Sequence, residues 1–402
     1  MGFPQMAVMR AIKPQMNDIV EVSSSHADAI GRQFDEVTSA FHGGGERVLR
    51  TFTSSEAASL IGCSDAYVRM LAPTIPVGKD TAGRWIFSLE QVHAMRRQMV
   101  QTGHLPNPRR SPLERVQVIS VANFKGGSGK TTTSVHLAQY LALRGYRVLA
   151  VDLDPQASLS TILGQIPDID TSMNETVYAA LRYYDPVPLK SVIRSTHIAG
   201  LDLIPANQEL QEFEFETPKF MMDHPTNSVG VFTRLVSALA TVEDDYDVIV
   251  LDSAPNLGFM TLNAMVASGM ILVTIHPQML DVYSMQHFLQ MFSGTMGVIR
   301  SKLGRAPDTT LRYLLTRFEP SDRPQNQVAQ ALRALLPHHV LNAVALKSTA
   351  VADAGLGQQT LYEVSLSGSE INRSAYNRAI ESMNTVNAEI EAILKGTWGR
   401  TS

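Results

Sequence analysis

Two lysines five positions apart, Lys125 and Lys130, bracket the run Gly126-Gly127-Ser128-Gly129, and Thr131 and Thr132 follow directly. Residues of these types in this order suit a polyphosphate. Glycines let successive backbone N–H groups turn inward on phosphate oxygens, and a helix starting here adds its positive N-terminal end. In such a loop Lys130 reaches the β- and γ-phosphates and the Thr131 hydroxyl ligates Mg²⁺. Three carboxylates supply the rest. Asp252 closes the apolar run Tyr246-Asp-Val-Ile-Val-Leu-Asp252, and Asp152 and Asp154 close Arg147-Val-Leu-Ala-Val-Asp-Leu-Asp154. An acid at the end of a buried strand orients Mg²⁺ through water or positions the attacking water. Each aspartate alone reads as an ordinary strand-end turn former. Beside a phosphate loop at this spacing, the three read as one site.

Elements of a definite kind must hold these residues. Val118-Ile119-Ser120-Val121-Ala122 is apolar and β-branched, as a buried strand is. From Thr131 the pattern turns helical, with Val135, Ala138, Leu141 and Ala142 on one face, and Gly145 ends the helix. Strand, glycine loop and helix form the context a phosphate-binding loop requires. Further strands are expected at 147–154, 201–204, 246–252, 269–275 and 311–315. Helices are expected at 228–241, 281–300, 324–336 and 373–395. Alternating strands and helices predict an α/β fold: a P-loop domain over 116–402 with a mostly parallel sheet flanked by helices. Ligands of such sheets sit at the carboxyl ends of the strands, where the loop and all three aspartates fall.

The 402 residues are 44% hydrophobic and 18% charged, enough for two or more globular domains. No apolar run approaches the ~20 residues of a membrane helix. No signal peptide is expected from Met1 to Arg10. A single cysteine, Cys63, excludes an intramolecular disulfide and a Cys-ligated cluster within one chain, and fits a reducing cytoplasm. Net charge is −4 overall but uneven, with 10 basic against 6 acidic residues over 46–115. A basic excess confined to one segment points to nucleic acid there.

That segment has its own pattern. Thr53-Ser54-Ser55-Glu56 fits a capping box opening a helix that buries Ala57, Ala58, Leu60 and Ile61. Gly62-Cys63 turns the chain, and Ser64 caps a second short helix with Val68 and Leu71 inward and Asp65, Tyr67 and Arg69 outward. Two short helices around a tight turn are the helix-turn-helix arrangement, whose second helix enters the major groove. Arg84-Trp85-Ile86-Phe87 resembles a β-wing, and a further helix from Ser88 ends in Arg96-Arg97. Residues 46–100 therefore read as a winged helix-turn-helix DNA-binding domain, with Ser64, Asp65, Tyr67, Arg69 and Arg84 at the DNA. Residues 1–45 read as a helical arm that either joins two copies or packs on its own chain, with Ser23-Ser24-Ser25 a break and Gly43-Gly44-Gly45 a hinge. Residues 101–115, with three prolines, read as a linker in which Arg109 and Arg110 are a solvated hinge or, alternatively, touch phosphates.

The general phosphate-loop pattern has glycine where this chain has Phe124. Lys125-Gly-Gly-Ser-Gly-Lys130-Thr-Thr instead resembles the deviant Walker A motif of the ParA/MinD group of P-loop ATPases. Asp152-Leu-Asp154-Pro155-Gln156 resembles that group's second motif, and Asp252-Ser-Ala-Pro255-Asn-Leu-Gly258 its Walker B region. With its N-terminal block the chain is similar to the larger plasmid-partition ParA proteins, most nearly the RepA group of repABC-type plasmids. The resemblance implies ATP and Mg²⁺ as cofactors. It implies that Lys125 crosses a homodimer interface to the partner's nucleotide, while Lys130 binds phosphate in cis. Thr131 would ligate Mg²⁺ and Thr132 touch the α-phosphate. Asp154 would position the attacking water, Asp152 support the Mg²⁺ shell, and Asp252 serve as the Walker B acid. It further implies slow ATP hydrolysis raised by DNA and by a ParB-like (RepB) centromere-binding protein. Binding would extend to operator and non-specific DNA, the latter through Lys347, Arg373 and Arg378, on a cytoplasmic, nucleoid-associated protein. The tail Lys395–Ser402 is too short and polar for a membrane anchor. The alternative function is a nucleotide-regulated transcriptional repressor with no segregation role.

Overall fold

The computed structural model describes residues 22–31, 47–167, 169–225, 230–304, 309–365 and 371–400. The chain divides into two units, Met1–Glu46 and Arg47–Ser402. In the first, helix α1 spans 22–31, and Ser23–Ser25 lie inside it without breaking it. The rest of the expected arm and its glycine hinge fall outside the described residues.

The second unit opens with β1 (Phe52–Thr53), α2 (Ser54–Ile61), α3 (Asp65–Leu71), β2 (Gly78–Lys79), β3 (Trp85–Phe87) and α4 (Leu89–Gln101). The capping box is formed: Thr53 Oγ1 accepts the Glu56 N–H, and Glu56 Oε2 accepts the Thr53 N–H at 2.8 Å. Gly62 takes the left-handed conformation at φ 86°, and Ser64 caps α3. The three strands pair antiparallel in the order β1-β3-β2. Helix α4 does not stop at Arg96-Arg97 but runs on to Gln101. Arg96 is buried and donates to the carbonyls of Leu60 and Ile61, which the end of α2 leaves without helical partners.

The main sheet follows. In chain order its elements are β4 (Gln117–Ala122), α5 (Lys130–Leu143), β5 (Val148–Leu153), α6 (Ser158–Ile162), α7 (Val177–Leu181), β6 (Arg194–Ser195), β7 (Leu201–Ile204) and α8 (Leu210–Asp223). Then come α9 (Arg234–Ala240), β8 (Val248–Ser253), α10 (Phe259–Ala267), β9 (Met270–Ile275), α11 (Met279–Leu303), β10 (Thr310–Phe318), α12 (Arg323–Leu335), β11 (Val340–Leu346), α13 (Thr349–Leu356) and α14 (Arg373–Thr397). Eight strands line up as β11-β10-β9-β4-β8-β5-β7-β6. All pairs are parallel except β6 with β7 at one edge. Strands β6 and β11 were not foreseen, and the expected helix at 228–241 is formed over Arg234–Ala240. Among the described residues no helix is long and apolar enough to cross a membrane.

Alternation along the strands sorts the core. Ile119, Val121, Ala150, Val248 and Val250 face α5, α14 and the winged block. Val118, Leu149, Val151, Ile249 and Leu251 face α7, α8, α9 and α10. Helix α5 shows no apolar stripe, because Thr133 to Leu143 are all buried. A helix hydrophobic all round is one covered on every side.

The winged block and the eight-stranded sheet with its helices share one hydrophobic cluster, and polar contacts join them at the end of α5. His93 Nε2 meets the Ala142 carbonyl at 2.9 Å. Gly145 stands at φ +93°, and a Cβ there would lie 2.7 Å from Arg96 Cδ. Gly145→Ala should therefore lower unfolding free energy by about 1–3 kcal/mol, read from urea midpoints. The linker is docked, contrary to expectation. Arg110 is nearly buried and donates to the carbonyls of Tyr246, Glu243 and Glu114, while Arg109 Nε reaches Gly145 O at 3.3 Å. Arg400 holds the same segment through Glu114 and three linker carbonyls.

Candidate nucleotide site

The loop between β4 and α5 is fixed from both flanks. Asn123, buried, donates to the Thr274 carbonyl at the end of β9 and accepts the Lys125 N–H at 3.1 Å. Ser128 Oγ pairs with Thr274 Oγ1 at 3.0 Å, and the Thr316 hydroxyl donates to Ser128 O at 2.7 Å. Arg317 donates to Gly127 O at 3.3 Å. Gly127 and Gly129 have φ of +73° and +85°, a region that costs an L-residue about 1–2 kcal/mol. Phe124 stands edge-on to Phe288 of α11, with ring centroids 4.4 Å apart. The residue that departs from the general loop pattern thus anchors the loop to α11.

Lys130 starts α5 and is 7% exposed, with Nζ donating to the Lys125 carbonyl at 3.3 Å. Burial lowers its pKa, and the nearby carboxylates of Asp252 and Asp154 oppose that shift. Asp252 and Asp152 are register partners on neighbouring strands β8 and β5, and both are fully buried. Burial raises both pKa values, and Asp252 raises that of Asp152 further. Hydrogen bonds then separate their roles. Asp152 Oδ2 accepts the Ser160 N–H at 2.8 Å and the Ser160 hydroxyl at 2.7 Å, while Oδ1 accepts the Asp154 N–H at 3.1 Å. Its carboxylate is spent on shaping the loop that carries Asp154. Asp252 Oδ1 accepts the Ser134 hydroxyl at 2.7 Å, and Thr131 also bonds this carboxyl. Asp252 Oδ2 is buried without a protein partner. An unpaired buried carboxylate oxygen beside a threonine hydroxyl is a donor set for a hard cation that keeps waters and phosphate oxygens. The residues therefore fit magnesium-bound nucleotide, with Thr131 and Asp252 as the protein oxygens.

Lys125 points elsewhere. Its Nζ lies 2.8 Å from Asp281 Oδ2 in the first turn of α11. Asp281 is 3% exposed and Lys125 42%. The two loop lysines thus serve different partners within one chain: Lys130 turns to Asp252 and Asp154, Lys125 to α11. Beyond Asp252, Gly258 lets Glu214 of α8 close over the start of α10, accepting the N–H groups of Phe259 and Met260 at 2.8 and 2.9 Å.

Sequence reasoning named Lys125 to Thr132, Asp152, Asp154 and Asp252, and the fold brings all of them to one end of the sheet. It missed Ser134, Thr274, Asp281, Thr316 and Arg317. Ser134 is one helical turn past Lys130, a spacing that was readable. Arg317 and Thr316 come from β10, whose place beside β9 no local pattern reveals.

The proposed DNA contacts are scattered. Ser64 is an exposed cap, and Asp65 pairs with Arg69 at 2.7 Å on the outer face of α3, where Tyr67 is half-buried. Arg84 pairs with Asp80 at 2.7 Å at the tip of the β2–β3 hairpin. Lys347 pairs with Glu319 at 2.8 Å beside a cavity that Arg378 also lines. Arg373, exposed, is the first residue of α14.

Comparison with known proteins agrees with this geometry. A family model described as "AAA domain" matches residues 116–304. A protein of Rhizobium rhizogenes named "Putative replication protein A" is 47% identical over 397 residues, covering 96% of this chain and 97% of that one. The "Chromosome partitioning protein ParA" of Myxococcus xanthus is 29% identical over 63% of this chain and 84% of its own. A solved structure titled "Partition Protein" superposes with a TM-score of 0.63 at 20% identity, over 94% of this chain and 98% of that one. With its deviant phosphate loop, strand-end aspartates and parallel sheet, the chain belongs to the ParA family of P-loop ATPases.

Proposed function

We propose that this chain is a plasmid-partition ATPase in which bound ATP joins two copies. The ATP-loaded dimer binds DNA without sequence preference, and a ParB-like centromere-binding protein raises its slow hydrolysis. One observation carries the reading. Lys130, Thr131 and Asp252 converge on one phosphate site, whereas Lys125, equally close in sequence, is turned out to Asp281 and half exposed. A lysine that its own phosphate site leaves over can serve a second copy's nucleotide once it parts from Asp281.

Magnesium, which Thr131 and Asp252 would hold, would supply charge neutralisation at the transferred phosphate. The chain's own groups do the remainder. Thr131 and Asp252 would offer that metal their oxygens, and Ser134 holds Asp252 in place. Lys130 grips the transferred phosphate. Asp154, on the loop that Asp152 and Ser160 shape, accepts a hydrogen bond from water and aligns it for attack. No covalent intermediate is required, so the work is positioning and charge neutralisation.

The winged block then gives a second use of the same switch, repression of the protein's own operon through α3 and the β2–β3 hairpin. A repressor without segregation would need nucleotide binding but no regulated turnover. DNA binding measured against salt, with ADP and with ATP on operator and random duplexes, tests the reading. ATP should favour random DNA by at least tenfold. Equal random-DNA affinity in both nucleotide states refutes the switch.

A further inference from the structure

Where α4, the 102–115 linker and the end of α5 meet, a cavity of about 180 Å³ is lined by His93, Arg96, Arg97, Asn107, Arg109 and Gly145, with no carboxylate among its lining residues. We propose that this cavity binds a phosphate group. Its donors are the argument. Arg96 is 7% exposed, its Nη atoms are used by the Leu60 and Ile61 carbonyls, and its buried Nε has no partner. That Nε faces the Gly145 wall, 2.9 Å from where a Cβ on Gly145 would stand. Arg109 spends Nε on the Gly145 carbonyl and keeps both Nη groups, since no hydrogen bond among the described residues uses them. Arg97 is exposed and makes no hydrogen bond or ion pair among the described residues. Arg97 and Arg109 thus bring unused N–H donors to one space, and the unpartnered Nε of Arg96 stands in its wall.

Charge says the same. Two acids act on these arginines from outside the cavity, Asp247 on Arg109 and Glu391 on Arg96, but neither lines it, and each is bonded to other groups: Asp247 to Arg147 and the Arg110 N–H, Glu391 to Lys395, Tyr140 and Tyr146. Burial, then the charges of Arg96, Arg109 and Arg97, push the His93 pKa down to about 4. The ring is therefore neutral, and its Nε2–H caps the Ala142 carbonyl. The helix-end carbonyls that would repel an anion are already bonded, by His93 and Arg109. The lining itself is cationic, with no carboxylate in it, and guanidinium forks match phosphate oxygens in geometry as well as charge. A water needs about 10–15 Å³ of such space, so a tetrahedral anion with attached waters fits. The phosphate comes either from a free anion or from a DNA backbone lying along the winged block.

The test uses the full chain saturated with ADP, so that the P-loop is filled. Inorganic phosphate is titrated at constant ionic strength while Tm is followed. Tm should rise and saturate in the unaltered protein, and the apparent affinity should fall at least fivefold in Arg97→Gln and in Arg109→Gln. Arg97 has no partner to lose, so its variant keeps the fold. In a second arm, random duplex is bound across a salt series. A slope reduced by about one in Arg97→Gln identifies a backbone phosphate as the occupant. An unchanged slope with a lost phosphate response identifies a free anion. If the phosphate response is absent or equal in all three proteins and the slope is also unchanged, the site does not exist. Failure of the unaltered protein to bind DNA would count against the partition reading while leaving the phosphate arm decisive.

Discussion

Lys130→Ala lowers ATP turnover by about 10²–10³-fold, the loss that follows removal of one preorganised group facing developing charge. The size follows from where the ammonium stands. It is buried at the start of α5, within electrostatic reach of Asp252 and Asp154, and no other cation of the chain lies among those carboxylates in the hydrogen bonds described. Without it, two carboxylates face the nucleotide's phosphates unopposed, so both nucleotide affinity and the chemical step suffer. Lys130→Arg restores little, because a planar fork cannot replace a compact ammonium inside a loop held at Asn123, Ser128 and Gly127. The measurement is steady-state phosphate release, with circular dichroism to confirm the fold. Arg69→Ala is the companion, since among the described residues Arg69 pairs with Asp65 and Ser54 on the winged block. It should leave basal turnover within twofold. Turnover above a tenth of the unaltered rate in Lys130→Ala would show that this loop does not grip the transferred phosphate.

The order in which the sequence became legible has a physical cause. The phosphate loop, its flanking strand and helix, and the aspartates at strand ends are local patterns, written within a few residues of one another, and all were readable. So were the capping box at Thr53 and the cap at Ser64, where one side chain meets a backbone group three positions on. What escaped depends on elements distant in sequence. Arg96 was read as a charged helix end, yet α2 brings two bare carbonyls to it and the helix continues. Arg109 and Arg110 were read as solvated because prolines surround them, but β8's approach supplies Tyr246 and Asp247 as anchors. Strand β11 has the right apolar run, Val340 to Leu346, but only the place of β10 decides that it joins the sheet. Asp281 stands in the first turn of α11, where an acid has the ordinary role of favouring a helix N-terminus. Its meeting with Lys125, 156 positions away, is visible only in three dimensions.

That meeting leads to the second large effect. In the Asp154→Ala background, where ATP is retained, Asp281→Asn tightens ATP-dependent dimerisation by at least tenfold, and Lys125→Ala abolishes it. For Lys125 to reach a second copy's phosphate it must leave Asp281, which is 3% exposed. Stripping one partner from a buried ion pair strands the other charge, a cost of several kcal/mol in a fully buried pair and less here, where Lys125 is 42% exposed. A symmetric dimer breaks two such pairs. Asparagine removes the stranded charge while keeping a short polar side chain at the start of α11, so helix and loop geometry persist. A gain of about 0.7 kcal/mol per subunit already amounts to tenfold in the dimer constant. Sedimentation equilibrium with ATP and with ADP reads the constant directly. With ADP all three proteins should remain monomeric over the same range, because no γ-phosphate draws the lysine across. If Asp281→Asn weakens the ATP dimer, Asp281 guides Lys125 toward the interface rather than holding it back. If Lys125→Ala dimerises as well as its parent, the lysine serves only its own chain, and the account of ATP as the joint between two copies fails with it.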